Sequence, residues 1–537
     1  MESGTRIVAR GRLLRLWLGL AVLMAIAGAG SDFSSAFSPS VLSPFAREPR
    51  PPQLVSQDDP RTPRHKSLAI ETRPTVFDSL SLIDSEFADA VASRPEIAPR
   101  LNPFPIHLVS SLTAPTLPPI PEEPRRVTIG NDHGQAMVGR VYGGSDSRVV
   151  MMPDGSLGWP NAMIFTDAPF VPLSRNELRE QLATGPYRHF QVHETDHYVI
   201  FFQSTPQFAK VSGIILESLY QGLLKAFSER GLDVHESEFP LTAVIFRNES
   251  DFREHYPVAP DVQAYYEAIS NRIFLFETRD RDLESPEIAA RRKPQTVAHE
   301  GTHQVLANIG VQPRLADWPI WLAEGLAEFC APATTNRGAW AGFNHVNPFH
   351  MATLHDLEDS LAIQGRQTRL SRSRIGQIPG RSTVEYLLNR GELTPTDYAL
   401  AWGLTHFLAN RRHDDFVGYL RTMSQMPPLT RLSNDEQIAQ FRKAFGDDLP
   451  ALSQQAHRYL AGLKRPESLP FYAVLFEQPV EPGVVRRGTL VSQSPLVVRQ
   501  WLDTMASSHA GQYQWYLRPF STRSAASQAT DSWIEGR

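Results

Sequence analysis

The chain has 537 residues, 41% of them hydrophobic and 21% charged, enough for two to four domains with a sizeable core. With 53 Lys and Arg against 58 Asp and Glu, its net charge of −5 offers no basic excess for a nucleic-acid partner. One Cys beside 17 His excludes an intramolecular disulfide framework, a Cys-based zinc knuckle and an iron–sulfur cluster, so a metal site must use His and carboxylate ligands.

Arg6, Arg10, Arg12 and Arg15 precede an uncharged stretch, LWLGLAVLMAIAGAG at 16–30, with small residues at Ala25, Ala27 and Ala29. A basic start, a short apolar run and A-x-A-like sites describe an export signal over 1–30. A spanning helix takes about 20 apolar residues, so cleavage is the first expectation. The alternative is an uncleaved anchor, with membrane or envelope association through the N-terminus. Either way the bulk of the chain is expected to be exported, to the periplasm, the cell envelope or the medium. Cys330 then reads as a small buried apolar residue. Residues 31–124 hold 17 of the 43 prolines without a persistent period, which predicts a disordered spacer. The apolar patch at 76–83 is a candidate docking helix.

The runs VTIG, MVGRVY and RVVMM, separated by turns such as Pro153-Asp154-Gly155, predict a small antiparallel β module over 125–168. Nothing in it looks catalytic. Ser174 and Glu177 form an S-x-x-E capping signal for a helix. A strand at 197–203 precedes a long amphipathic helix carrying Phe208, Val211, Ile215, Leu219, Leu223 and Phe227. Strands at 241–246 and 272–276 follow, then helical texture from 295 to 463. An α/β extension over 464–520 contains the strand-like FYAVLF and a helix near 496–505. The polar residues 521–537 read as a disordered tail, and the final Ile-Glu-Gly-Arg matches a protease-tag sequence.

The chemistry concentrates in TVAHEGTHQVLANIG, residues 296–310, with Pro294 suited to a helix first turn and Gly310 to its stop. His299 and His303, four apart, project from one helix face and can ligate one zinc ion, while Glu300 reaches the water beside it. WPIWLAEGLAEFCAP follows at 318–332, with Glu324 and Glu328 again i and i+4. An acidic pair usually marks a solvated face, but Trp321, Leu322, Leu326 and Phe329 surround this one. A buried carboxylate needs a partner or a metal, which points to Glu324 as a ligand.

HEGTH followed by WLAEGLAEF resembles the gluzincin metallopeptidases, which include thermolysin and the aminopeptidase-N-like enzymes. The resemblance implies a zincin-like α+β domain over 170–463, with a small mixed sheet and a mainly helical part carrying HExxH. It implies one catalytic Zn2+ held by His299, His303 and Glu324, with Glu300 as general base and Glu328 orienting a ligand His. Twenty residues separate His303 from Glu324, close to the interval typical of that group. DYALAWGLTHFLAN at 397–410 resembles the aminopeptidase-like helix that begins with a Tyr. That match makes Tyr398 the oxyanion donor and sets His406 behind the ligands, although a helical Tyr or His serves packing equally well. Trp402 reads as core. Overall the pattern, which includes YYEAISNRIFLFE at 265–277, is similar to an uncharacterised family of exported bacterial proteins known only as a domain of unknown function. The glycine-rich substrate-strand motif of true aminopeptidases is missing.

The expected activity is that of an exported zinc-dependent peptidase acting on a peptide or protein, which would pair with the 272–276 strand by edge addition. The alternatives are an inactive metal-binding homologue and a structural, envelope-associated protein. His345, His350 and His355 invite a second metal site but read as surface or packing residues.

Overall fold

Five short strands open the described part of the chain: β1 (Arg126–Gly130), β2 (Ala136–Gly143), β3 (Val149–Met151), β4 (Leu157–Gly158) and β5 (Ile164–Phe165). They pair antiparallel in the order β4-β3-β2-β1-β5, as the β-rich runs predict. The computed structural model describes residues 125–534 except 131–135, 144–148, 161, 256–261, 279–285, 333–339, 341–344, 368–376, 379–380, 464–468, 482–483 and 508–512. The expected export segment, the Pro-rich spacer and the candidate docking helix at 76–83 lie outside these residues. Among the described residues no helix is long and apolar enough to cross a membrane.

The second sheet is built from β6 (Gln191–Glu194), β7 (Tyr198–Phe202), β8 (Leu241–Asn248), β9 (Ala264–Glu267) and β10 (Arg272–Thr278). It is threaded with α1 (Arg175–Thr184), α2 (Pro206–Glu229) and α3 (Glu249–His255). The Ser174–Glu177 capping box is present at the start of α1. The order is β6-β7-β8-β10-β9, with β7, β8 and β10 parallel and an antiparallel strand at each edge. Side chains alternate between two buried faces, as a strand's period of two requires. Tyr198, Ile200, Ala243, Ile245, Ile273 and Leu275 join the main core beneath α2, and Val199, Phe201, Val244, Phe246, Phe274 and Phe276 join a second cluster with Leu178 of α1 and Phe252 of α3. Cover on both faces explains why these strands read as unbroken apolar runs.

The topology corrects one expectation. The 272–276 strand lies inside the sheet, between β8 and β9, so it offers no edge for an added peptide. The edge belongs to β9, because a tight turn folds it back along β10, with Asn271 at φ 60°.

The helical part follows: α4 (Pro286–Asn308), α5 (Ile320–Cys330), α6 (Pro348–Gln367), the hairpin β11 (Gln377–Ile378) and β12 (Arg381–Ser382), α7 (Thr383–Leu388), α8 (Pro395–Arg411), α9 (His413–Ser424), α10 (Asn434–Phe445) and α11 (Leu449–Ala461). Pro294 is interior to α4 and does not mark its start. A Pro removes one rung of the hydrogen-bond ladder but holds φ near the helical value, so the helix runs through it. The chain is mixed α+β, as expected.

The last unit is a three-stranded antiparallel sheet, β13 (Phe471–Glu481), β14 (Val484–Ser492) and β15 (Gln514–Phe520), with α12 (Pro495–Ser507) and α13 (Arg523–Ile534) against it. The expectation of a disordered tail over 521–537, of which 535–537 lie outside the described residues, is corrected: Arg523–Ile534 form α13. Its buried stripe is made of Ala526 and Thr530, residues too small and polar to give an apolar periodicity.

Candidate metal centre

The site lies where α4 packs on α5 and α5 on α8. Two glycines set the approach. A methyl at Gly301 would stand 2.7 Å from Leu216 Cδ2 of α2, and one at Gly325 would stand 2.7 Å from the Ala401 carbonyl oxygen of α8. Each glycine directly follows a glutamate of the site, Glu300 or Glu324. Thr394 and Asp397 form a capping box at the start of α8, one residue before Tyr398.

His299, His303 and Glu324 converge, with one donor atom from each lying within 4.8 Å of the others. His303 Nε2 is 3.2 Å from His299 Nε2, and Glu324 Oε2 is 3.2 Å from His299 Nε2 and 3.7 Å from His303 Nε2. Glu324 is fully buried, yet neither of its oxygens has a hydrogen bond of good geometry. Two imidazole nitrogens facing each other across a buried carboxylate suit a cation with nitrogen and oxygen ligands, and they fit zinc.

The charges agree. Burial pushes the Glu324 carboxyl up, but the His303 and His299 imidazoles beside it override this and bring it down to about 2. Burial depresses the His299 imidazole, but Glu328 and Glu324 lift it well above its ordinary value. The Glu300 carboxyl is raised by burial, partly offset by the two imidazoles. Its Oε2 accepts the Tyr266 amide of the edge strand β9 at 2.8 Å. Glu328 Oε1 faces His299 Nδ1 at 3.2 Å and its Oε2 faces His350 Nε2 at 2.7 Å. With Nδ1 turned to Glu328, His299 presents Nε2 to His303 Nε2 and Glu324 Oε2. Tyr398 is buried, with its ring centroid 6.4 Å from that of His299. Burial, then the charges of Glu324, Glu328 and Glu300, hold its phenol protonated far above the usual range.

A second polar cluster lies further along α4. Asn271 and Asn308 exchange side-chain amide hydrogen bonds of 2.9 and 2.8 Å, Tyr266 Oη donates to Asn271 Oδ1 at 2.9 Å, and Gln304 Nε2 donates to the Thr242 and Asn271 carbonyls. These bonds fix the β9–β10 turn to the helix that carries His299 and His303.

The structure thus brings together His299, Glu300, His303, Glu324, Glu328 and Tyr398. His406 has other partners: its Nδ1 is 2.9 Å from Tyr459 Oη, and its ring packs against Trp402 and Phe329. Trp402 and Cys330 are core residues. His345 is exposed and His350 buried, and among the described residues only His299, His303 and Glu324 group as potential ligands. Sequence reasoning missed the contact of His350 with Glu328 and the amide of Tyr266. Asn347-Pro348 is a legible helix start, since Asn347 Oδ1 accepts from Phe349 N at 3.0 Å, but it gives no hint of what His350 would meet.

No curated protein matches the chain. Residues 293–430, from α4 through α9, match a family model described as a protein of unknown function (DUF1570), and this stretch contains His299, Glu300, His303, Glu324, Glu328, His350 and Tyr398.

Proposed function

We infer that the chain is a zinc-dependent peptidase that acts outside the cytoplasm. The observation that carries this reading is the convergence of His299, His303 and a hydrogen-bond-poor, fully buried Glu324 beside Glu300. His299 Nε2, His303 Nε2 and Glu324 would hold the ion. Zinc in such a site polarises a scissile carbonyl and acidifies a water molecule.

The chain's own residues do the rest. Glu300, its carboxyl raised by burial and its Oε2 held by the Tyr266 amide, presents Oε1 to take a proton from the attacking water and deliver it to the leaving amine. The Tyr398 hydroxyl, kept protonated, donates to the oxyanion that develops on the carbonyl. The outer edge of β9, the strand that carries that amide, is where an extended peptide can add as a strand.

The test is zinc content and peptide-library cleavage by the purified protein and by Glu300→Ala. Wild type should carry about one zinc per chain. The variant should keep the zinc and lose about 10²- to 10⁴-fold in cleavage. If wild type carries zinc but cuts nothing that the variant spares, the protein is a metal-binding homologue and not an enzyme.

A further inference from the structure

Glu328 has two imidazole partners, and only His299 belongs to the donor set. A carboxylate that accepts the Nδ1 proton of a ligating imidazole fixes its tautomer and ring plane, provided the carboxylate cannot itself turn. His350 supplies that restraint, with Nε2 held 2.7 Å from Glu328 Oε2. Its ring is 2% exposed and stacks on Trp402 at 5.7 Å between centroids and 28° between planes.

The helix that presents His350 is gripped from its other side. Phe349 and Ala352 belong to the same apolar cluster as Tyr472, Val474 and Phe476 of the C-terminal sheet. Thr353 Oγ1 lies 2.7 Å from Ser494 Oγ, and Asp356 accepts the Ser492 hydroxyl. The first turns of α6 are therefore seated on the C-terminal unit while His350 reaches α5.

We propose that His350 is a positioning residue for the metal centre: through Glu328 it sets the orientation of His299, and through α6 it makes that setting depend on the C-terminal α/β unit. This rests on the metal reading above. It also gives the C-terminal unit, which contributes no donor atom, a part in the site.

The test is zinc affinity of the full chain, by competition with a chromophoric chelator, for wild type, His350→Phe, His350→Gln, Glu328→Gln and the double variant Glu328→Gln/His350→Phe. Phe keeps the ring on Trp402 and removes the donor, whereas Gln keeps a donor. His350→Phe should weaken zinc binding about 10- to 100-fold, the range for partners behind metal ligands, and His350→Gln by less than about threefold. In the Glu328→Gln background the Phe change should add less than about twofold, because two residues acting in series are not additive. The same loss in both backgrounds, or no loss in His350→Phe, overturns the proposal. Should His350→Phe fail to fold, His350→Leu takes its place: a loss of about 10- to 100-fold beside near-wild-type His350→Gln supports the proposal, and no loss in His350→Leu overturns it. A wild-type chain that takes up no zinc removes the metal reading and this inference together, whereas zinc binding insensitive to residue 350 removes only the inference.

Discussion

Two buried polar clusters share α4, and they are finished in opposite ways. Around Asn271, Gln304 and Asn308 the side-chain amide N–H groups donate to one another and to backbone carbonyls, with Gln304 Oε1 left without a partner among the described residues. Around His299, His303 and Glu324 two nitrogens face each other at 3.2 Å, and a buried carboxylate lacks a sound hydrogen bond. A network of neutral amides contributes rigidity, whereas a buried carboxylate held only against two imidazoles, at 3.2 and 3.7 Å, suits a cation. Consecutive stretches of one helix thus carry a candidate metal centre, at His299–His303, and a strut, at Gln304–Asn308.

The largest expected effect comes from removing a donor. Glu324→Gln should weaken zinc binding more than about 100-fold, beyond the loss from any residue behind the ligands, as read by chelator competition. Next, zinc at 100 times its dissociation constant should stabilise wild type by about 2.7 kcal/mol in chemical denaturation and should leave Glu324→Gln unchanged. Asn308→Ala should do the reverse. It should cost about 1–3 kcal/mol of stability with or without zinc while zinc affinity stays near wild type. A large loss of zinc affinity in Asn308→Ala would erase the distinction between the two clusters.

The smallest effect is on pH. Protons compete with zinc for the imidazoles. Against the lowering effect of burial, Glu328 and Glu324 lift His299 well above 6.5, so it still carries a proton where an ordinary imidazole has lost it. Zinc affinity should therefore keep rising with pH above 6.5 and level off only once His299 is neutral. A pH series that is flat above that point would contradict the lift.

Much of the fold was legible because the relevant forces are local. The i, i+4 spacing of His299 and His303, the capping box at Ser174 and the β-rich runs of β1–β3 act over a few residues. Glu324 was legible for a different reason: an acid among Trp321, Leu322 and Phe329 stands out from its apolar surroundings. What stayed hidden depends on contacts distant in sequence or on groups that every residue carries. His350 meets Glu328 across 22 residues, and the Tyr266 amide leaves no mark in the choice of side chain. The β9 edge depends on a turn centred near Asn271, and α13 buries only small residues.

Gly325 has a mechanical consequence. With no side chain at residue 325, α5 lies against both the Thr405 hydroxyl and the Ala401 carbonyl of α8, and this close approach brings Glu324 towards Tyr398. Such a spacing leaves no room for a methyl group, and it can be widened in one step. Gly325→Ala would keep every donor in the sequence while prising the ligand helix away from the tyrosine, so it would separate holding a metal from using it.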